Sequence, residues 1–260
     1  MAWDPDFIDF IDAYCDRWCE RCPLTHKCAA FARQEDPDEM DDCAAAVEKA
    51  MESLREELAM PPARQRPSVE ELLAPPEPSE REIQDYERAS RARDERQRAD
   101  PMMVRAREYS VEAHLWLRMY GGATREHAER ARAAGGDALE AAVVKLEADA
   151  VLEALEVVTW DSVLISGKIY RAMDGKEWAE EDESVGDDPV QLDFNGSAKL
   201  ALILAERSTA AWRLIARWGP EPEVAMRFAQ TLARLRHDVE VAFPNARQFR
   251  RPGFDDPPSP

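Results

Sequence analysis

Between residues 137 and 173, apolar side chains recur at every third or fourth position: Val144, Val151, Leu155, Val158, Ile165 and Ile169, with Ser162 in the same register. That spacing returns each of them to one side of a helix, and Leu139, Val143 and Leu146 begin a neighbouring stripe. A helix apolar on two sides belongs in the middle of a bundle. Leu200-Ala-Leu-Ile-Leu-Ala, followed by Ala210-Ala211-Trp212, is nearly as apolar, and its alanines allow close backbone approach. Similar periodicity predicts helices over roughly 101–120, 123–133, 196–218 and 221–243. The breaks between helices fall at Gly121-Gly122, at Gly135-Gly136, in a solvated acidic loop from Asp174 to Asp193 and at Gly219-Pro220. Alternating β-branched runs are scarce, so the fold class expected is all-α: a helical bundle with an N-terminal cysteine-bearing segment.

Towards the N-terminus the pattern predicts a helix over 4–22. Asp4 is its N-cap, Pro5 stands at the first helical position, and Phe7, Ile8, Ile11, Tyr14 and Trp18 face a core. A short helix from Cys28 to about Arg33 and another from near Asp38 to Met60 should follow. Six prolines between Pro61 and Pro78 mark a linker around one short helix that begins at Ser68. Ser79-Glu-Arg-Glu82 has the capping-box pattern and opens a charged, solvated helix reaching Asp100. The organisation expected is therefore a 1–60 N-terminal metal-binding segment, a 61–100 Pro-rich linker and charged helix, a 101–243 bundle and a 244–260 Pro-rich tail, the last extended and mobile at its end.

Charge narrows the function. The 260 residues carry a formal net charge of −19, which repels nucleic acid and anionic lipid headgroups and favours a protein partner. No apolar run is long enough to span a membrane, and the acidic start is unlike a secretory signal, so the expected location is cytoplasmic.

The chemical anomaly is Cys15-Asp-Arg-Trp-Cys19-Glu-Arg-Cys22-Pro-Leu-Thr-His-Lys-Cys28, which holds four of the five cysteines. Disulfides within so short a stretch would tie together almost nothing, whereas thiolates crowded together need a cation to offset their repulsion. On a helix, positions 15, 19 and 22 share one face, and Pro23 lets the following residues loop Cys28 back. Cys15, Cys19, Cys22 and Cys28 are thus candidate ligands of a metal centre. Zinc accepts four thiolates, and an iron–sulfur cluster suits sulfurs from a helix and loop. His26 could replace one cysteine or act as an exposed loop residue, and Cys43 reads as helix core.

Cys19-x₂-Cys22-Pro-x₄-Cys28 resembles the last three ligands of the [4Fe–4S] loop in endonuclease III- and adenine-glycosylase-type DNA repair enzymes, and is similar to the Cys-x₂-Cys-x₅-Cys arrangement of RecB-type iron–sulfur nucleases. The resemblance implies a [4Fe–4S] cluster on Cys15, Cys19, Cys22 and Cys28, with zinc as the alternative. It covers only this stretch, and the body lacks a helix-hairpin-helix signature, so glycosylase activity is not implied. Radical-SAM chemistry shares the Cys15-x₃-Cys19-x₂-Cys22 spacing but requires a β/α barrel, for which this chain has no strands.

Other chemistries fail on their own patterns. An EF-hand around Asp193 would need acidic side chains where Gln191 and Leu202 stand. A di-iron site needs two Glu-x-x-His pairs, and none of His114, His127 or His237 has a Glu three residues before it. No phosphate loop, nucleophile elbow or dinucleotide fingerprint is present. Glu153, Glu156 and Glu206 lie in apolar helices and are expected at helix edges, paired with residues such as Arg207 or Arg213. The function expected is a metal-binding protein with a structural or electron-transfer cluster; the alternatives are a zinc-stabilised interaction module with an acidic surface and an enzyme that uses the cluster directly.

Overall fold

The computed structural model describes residues 7–35, 79–134, 138–181 and 188–255. The chain divides into two compact units, Met1–Ala13 with Arg17–Ala92, and Tyr14–Asp16 with Arg93–Pro260. The described residues are helical and include no strand, as expected for an all-α fold. The expected 38–60 helix, the Pro61–Pro78 linker, Cys43 and the Gly135-Gly136 break lie outside them.

In the first unit, α1 spans Ala29–Glu35 and α2 begins at Glu80, running to Ala99. The Ser79 capping box forms as read from the sequence: the Ser79 amide and hydroxyl donate to Glu82 Oε2 at 2.7 and 2.6 Å, and the Glu82 amide donates to Ser79 Oγ at 3.3 Å. These bonds hold the Glu82 carboxyl below its ordinary range. The expected 4–22 helix, by contrast, is not formed over its described residues. Residues 11–13, 19–21 and 25–27 make single 3₁₀ turns, and Phe10 and Arg17 sit at φ of 58° and 55°, which no right-handed helix accommodates. Asp, Cys, Tyr and Trp are middling to poor helix formers, so local propensity opposes these turns only weakly.

The second unit is a bundle of α3 (Pro101–Trp116), α4 (Gly122–Ala133), α5 (Ala138–Glu181), α6 (Asp193–Trp218) and α7 (Pro222–Ala242). Asp100 caps α3, accepting from the Met102 amide at 2.8 Å, and Pro101 occupies the first turn where no amide is needed. α5 packs against α3, α4 and α6, and α7 packs on α6 and α3. Val151, Leu155, Val158, Ile165 and Ile169 of α5 are buried, as are Leu200, Leu202, Leu204, Trp212 and Ile215 of α6. Trp212 sits at the centre: its ring meets Trp116 edge-on at 5.1 Å and Phe228 at 4.6 Å, and its Nε1 donates to the Tyr109 hydroxyl at 3.0 Å.

Four expectations about this unit need correction. Gly121-Gly122 does not break the chain: both glycines are right-handed helical, and a π-helical turn at Leu117–Gly121 joins α3 to α4. The second apolar stripe of α5 is not core, since Leu139 and Leu146 are 77% and 72% exposed, because α5 is enclosed by neighbours only farther along its length. The acidic stretch from Asp174 is not wholly loop, for α5 continues to Glu181. There Glu177 is gripped by Arg93 at 3.6 Å and Arg96 at 2.5 Å, Gln97 donates to it at 3.1 Å, and the Arg93 guanidinium lies 4.3 Å from the Trp178 ring centroid. The tail after Phe243 is not extended through Asp255: Ala246–Gln248 make a 3₁₀ turn, Ala246 and Phe249 are buried, and Lys199 Nζ donates to Phe249 O and Asp255 Oδ2, both at 2.6 Å, while the expected mobile end lies outside the described residues.

Candidate metal centre

The cysteines are placed by turns, where the sequence pattern suggested a helix face. The Ile8 amide donates to Lys27 O at 3.0 Å, which closes the intervening segment into a loop. Within it Cys19 opens one 3₁₀ turn and Cys22 caps it, the Cys22 amide donating to Cys19 O at 3.1 Å. Cys28 caps the next turn through its amide to Thr25 O, also 3.1 Å. The Leu24 amide donates to Cys22 Sγ at 3.4 Å. Arg21 lays its guanidinium over Trp18, 4.0 Å from the ring centroid.

All four cysteines are thiols of intermediate exposure, and His26 is exposed. Burial pushes the Cys19 thiol up; the nearby Cys28, Cys22 and Glu20 push it further in the same direction, against the pull of Arg17. Cys19, Cys22 and Cys28 therefore share one electrostatic neighbourhood, the condition in which a bound cation is most stabilising. Their chemistry fits a thiolate-bound metal. Among the described residues, no group of three or more His, Cys, Asp or Glu side chains is placed so that it could hold a metal ion.

Cys15 has a different setting. Residues 14–16 belong to the bundle unit and are fastened there on both sides of the cysteine. The Tyr14 hydroxyl donates to Asp193 Oδ1 at 2.9 Å, and its ring stacks at a tilt on Phe249 with centroids 4.8 Å apart. Burial, followed by the Asp193 contact, pushes the Tyr14 hydroxyl up to about 12. Asp16 Oδ2 accepts from Arg207 Nη1 at 2.8 Å, while its carbonyl accepts from Trp160 Nε1 at 2.8 Å.

Sequence reasoning missed the most deeply placed carboxylate of the bundle. Asp161 is fully buried; it receives Arg207 through two hydrogen bonds of 3.0 and 2.5 Å and Ser208 Oγ at 3.0 Å. Burial pushes its carboxyl up against the lowering effect of those donors. The available signal was a charged residue between Val158 and Ile165, beside a stripe whose members are apolar apart from Ser162. Glu153 and Glu156 are exposed, and Glu206 pairs with Arg247 at 2.5 Å and Arg236 at 4.0 Å.

No protein-family model, curated protein or solved structure matches the chain. Among the described residues, no helix is long and apolar enough to cross a membrane.

Proposed function

We propose that this is a metal-binding helical protein whose N-terminal loop carries a [4Fe–4S] cluster with a structural or electron-transfer role. The observation that supports this reading is the nearness of Cys22 and Cys28 to Cys19, whose thiol both push up, with the three cysteines falling within ten residues. Cys15, four positions before Cys19, is the fourth ligand that the sequence spacing supplies. A cluster on these sulfurs would accept and release one electron while linking segments of the loop. The chain's own contribution would be to hold its sulfurs: the Leu24 amide hydrogen-bonds Cys22 Sγ, and the Ile8–Lys27 bond keeps the loop closed.

Zinc is the second reading, favoured by the Cys19-x₂-Cys22 pair folded around a single tight turn, a spacing that tetrahedral thiolate sites use. In that case the site stabilises the loop, and the acidic surface is the feature available to a basic protein partner.

Anaerobic purification with iron, sulfide and zinc analysis tests both. The first reading expects a brown protein with about four irons and four sulfides per chain and sulfur-to-iron absorbance near about 400 nm. Cys22→Ser should lose the metal while Cys43→Ser keeps it. A colourless protein with one zinc replaces the cluster by the second reading; a preparation holding neither metal, or equal retention by both variants, removes the ligand assignment.

A further inference from the structure

Where α3 passes into α4, the π-helical turn at Leu117–Gly121 lies beside a cleft of about 280 Å³ lined by His114, Leu117, Arg118, Gly121, Arg125, Leu155 and Thr159. Three features of this cleft point to a ligand. First, in a chain of net charge −19, its lining holds two arginines and a histidine and no carboxylate. Among the described residues neither arginine is ion-paired, so both guanidinium groups are available to a ligand.

Second, Arg118 and Arg125 line the same cleft, with Gly121 between them in the chain and also in the lining. The missing side chain at Gly121 leaves the gap: a Cβ built there meets only Leu117, at 3.8 Å, which is ordinary contact. Glycine is thus needed neither for backbone conformation nor to avoid a clash, yet it keeps the middle of the cationic face open. Third, π turns widen a helix locally and recur at binding sites, and here Leu117 and Leu155 supply an apolar floor beneath the charges.

We propose that this cleft binds a compact organic anion, a phosphate monoester or carboxylate with a single-ring apolar body. The anionic head would sit between Arg118 and Arg125, whose planar guanidinium groups suit two-point recognition of such oxygens, and the ring would lie on Leu117 and Leu155. The volume suits one ring with its head group.

Titration of the full-length protein with phenyl phosphate, benzoate and inorganic phosphate tests this, with heat and amide chemical shifts as readouts. Phenyl phosphate should bind at one site, move the Gly121 and Thr159 amide signals, and bind more weakly as salt is raised. Benzoate in place of phenyl phosphate would identify a carboxylate site. Arg118→Gln with Arg125→Gln should weaken binding about tenfold or more, and Gly121→Leu should block it. Both variants alter exposed or open positions, and unchanged circular dichroism confirms that they fold. Absence of saturable binding by either organic anion, equal affinity in the arginine variant, or inorganic phosphate binding as well as phenyl phosphate would overturn the proposal.

Discussion

Arg207 grips Asp161 through two parallel hydrogen bonds, Nε to Oδ2 at 3.0 Å and Nη2 to Oδ1 at 2.5 Å, with the carboxylate sealed from solvent. The same guanidinium reaches Asp16, so one side chain of α6 joins α5 to the residue that follows Cys15. Removing one member of such a pair strands a charge in a site that cannot hydrate it. Arg207→Ala, which leaves the buried Asp161 carboxylate without its counter-charge, should therefore cost about 3–5 kcal/mol, read as a lower urea midpoint. Replacing both partners, Asp161→Leu with Arg207→Met, should recover part of that loss. A single variant as stable as the parent would show that the pair contributes nothing.

A second ion pair makes stability depend on acid. Burial would raise the Asp255 carboxyl, but the hydrogen bonds from Arg251 and Lys199 outweigh it and hold the group well below the usual carboxylate range. Its folded value thus lies under its unfolded value of about 3.9. The stabilisation is fully present above that unfolded value and is lost as pH falls towards the folded one. Asp255→Asn should cost about 1–3 kcal/mol near neutrality, and its stability should converge with that of the parent below about pH 4. A difference that stays constant down to strong acid would contradict the assignment.

What the sequence revealed and what it concealed divide along the range of the interactions. Ser79 and Glu82 are three residues apart, and every partner of their capping box is local, so its pattern was legible. The bundle helices were legible for the same reason: periodicity records which face each residue presents. Arg207 and Asp161 are 46 positions apart, and nothing in the neighbourhood of either names the other. Glu177 was read as part of an acidic loop because its counter-ions Arg93 and Arg96 belong to a distant helix. At the cysteines the spacing announced shared chemistry but not conformation. A helix and a string of 3₁₀ turns can carry the same Cys-x₃-Cys-x₂-Cys, and the left-handed Phe10 and Arg17, with Tyr14 and Asp16 anchored in the bundle, select the turns.

That anchoring depends on a glycine. Gly196 faces the Tyr14 ring so closely that an added Cβ would come within 2.7 Å of Phe249 Cζ and closer still to Tyr14. The ring cannot easily withdraw, because Asp193 holds its hydroxyl and Phe249 packs on it. Gly196→Ala should destabilise by about 1–3 kcal/mol through overpacking, although Ala is the better helix former. Truncating the ring with Tyr14→Ala should remove most of that penalty, so the two changes together cost less than their sum. Strict additivity in thermal unfolding would rule out the contact as the cause.

Gly122 presents the opposite case. It lies in α4 with right-handed backbone angles, φ −60° and ψ −49°, and a Cβ placed on it meets nothing within 4 Å. Neither a turn nor a close approach requires glycine there, so its only energetic consequence is the extra freedom it gives the unfolded chain. Gly122→Ala should stabilise the protein by about 0.5–1 kcal/mol, measured as a raised urea midpoint with an unchanged denaturant slope. Gly121→Ala should give a similar gain, since its Cβ also fits, but it should narrow the cleft between Arg118 and Arg125. The comparison separates two reasons for the same residue type. If Gly122→Ala destabilises, the π-helical turn needs backbone freedom that the static angles do not reveal; if it stabilises while Gly121→Ala weakens phenyl phosphate binding, helix stability has been traded for an open cleft at Gly121 alone.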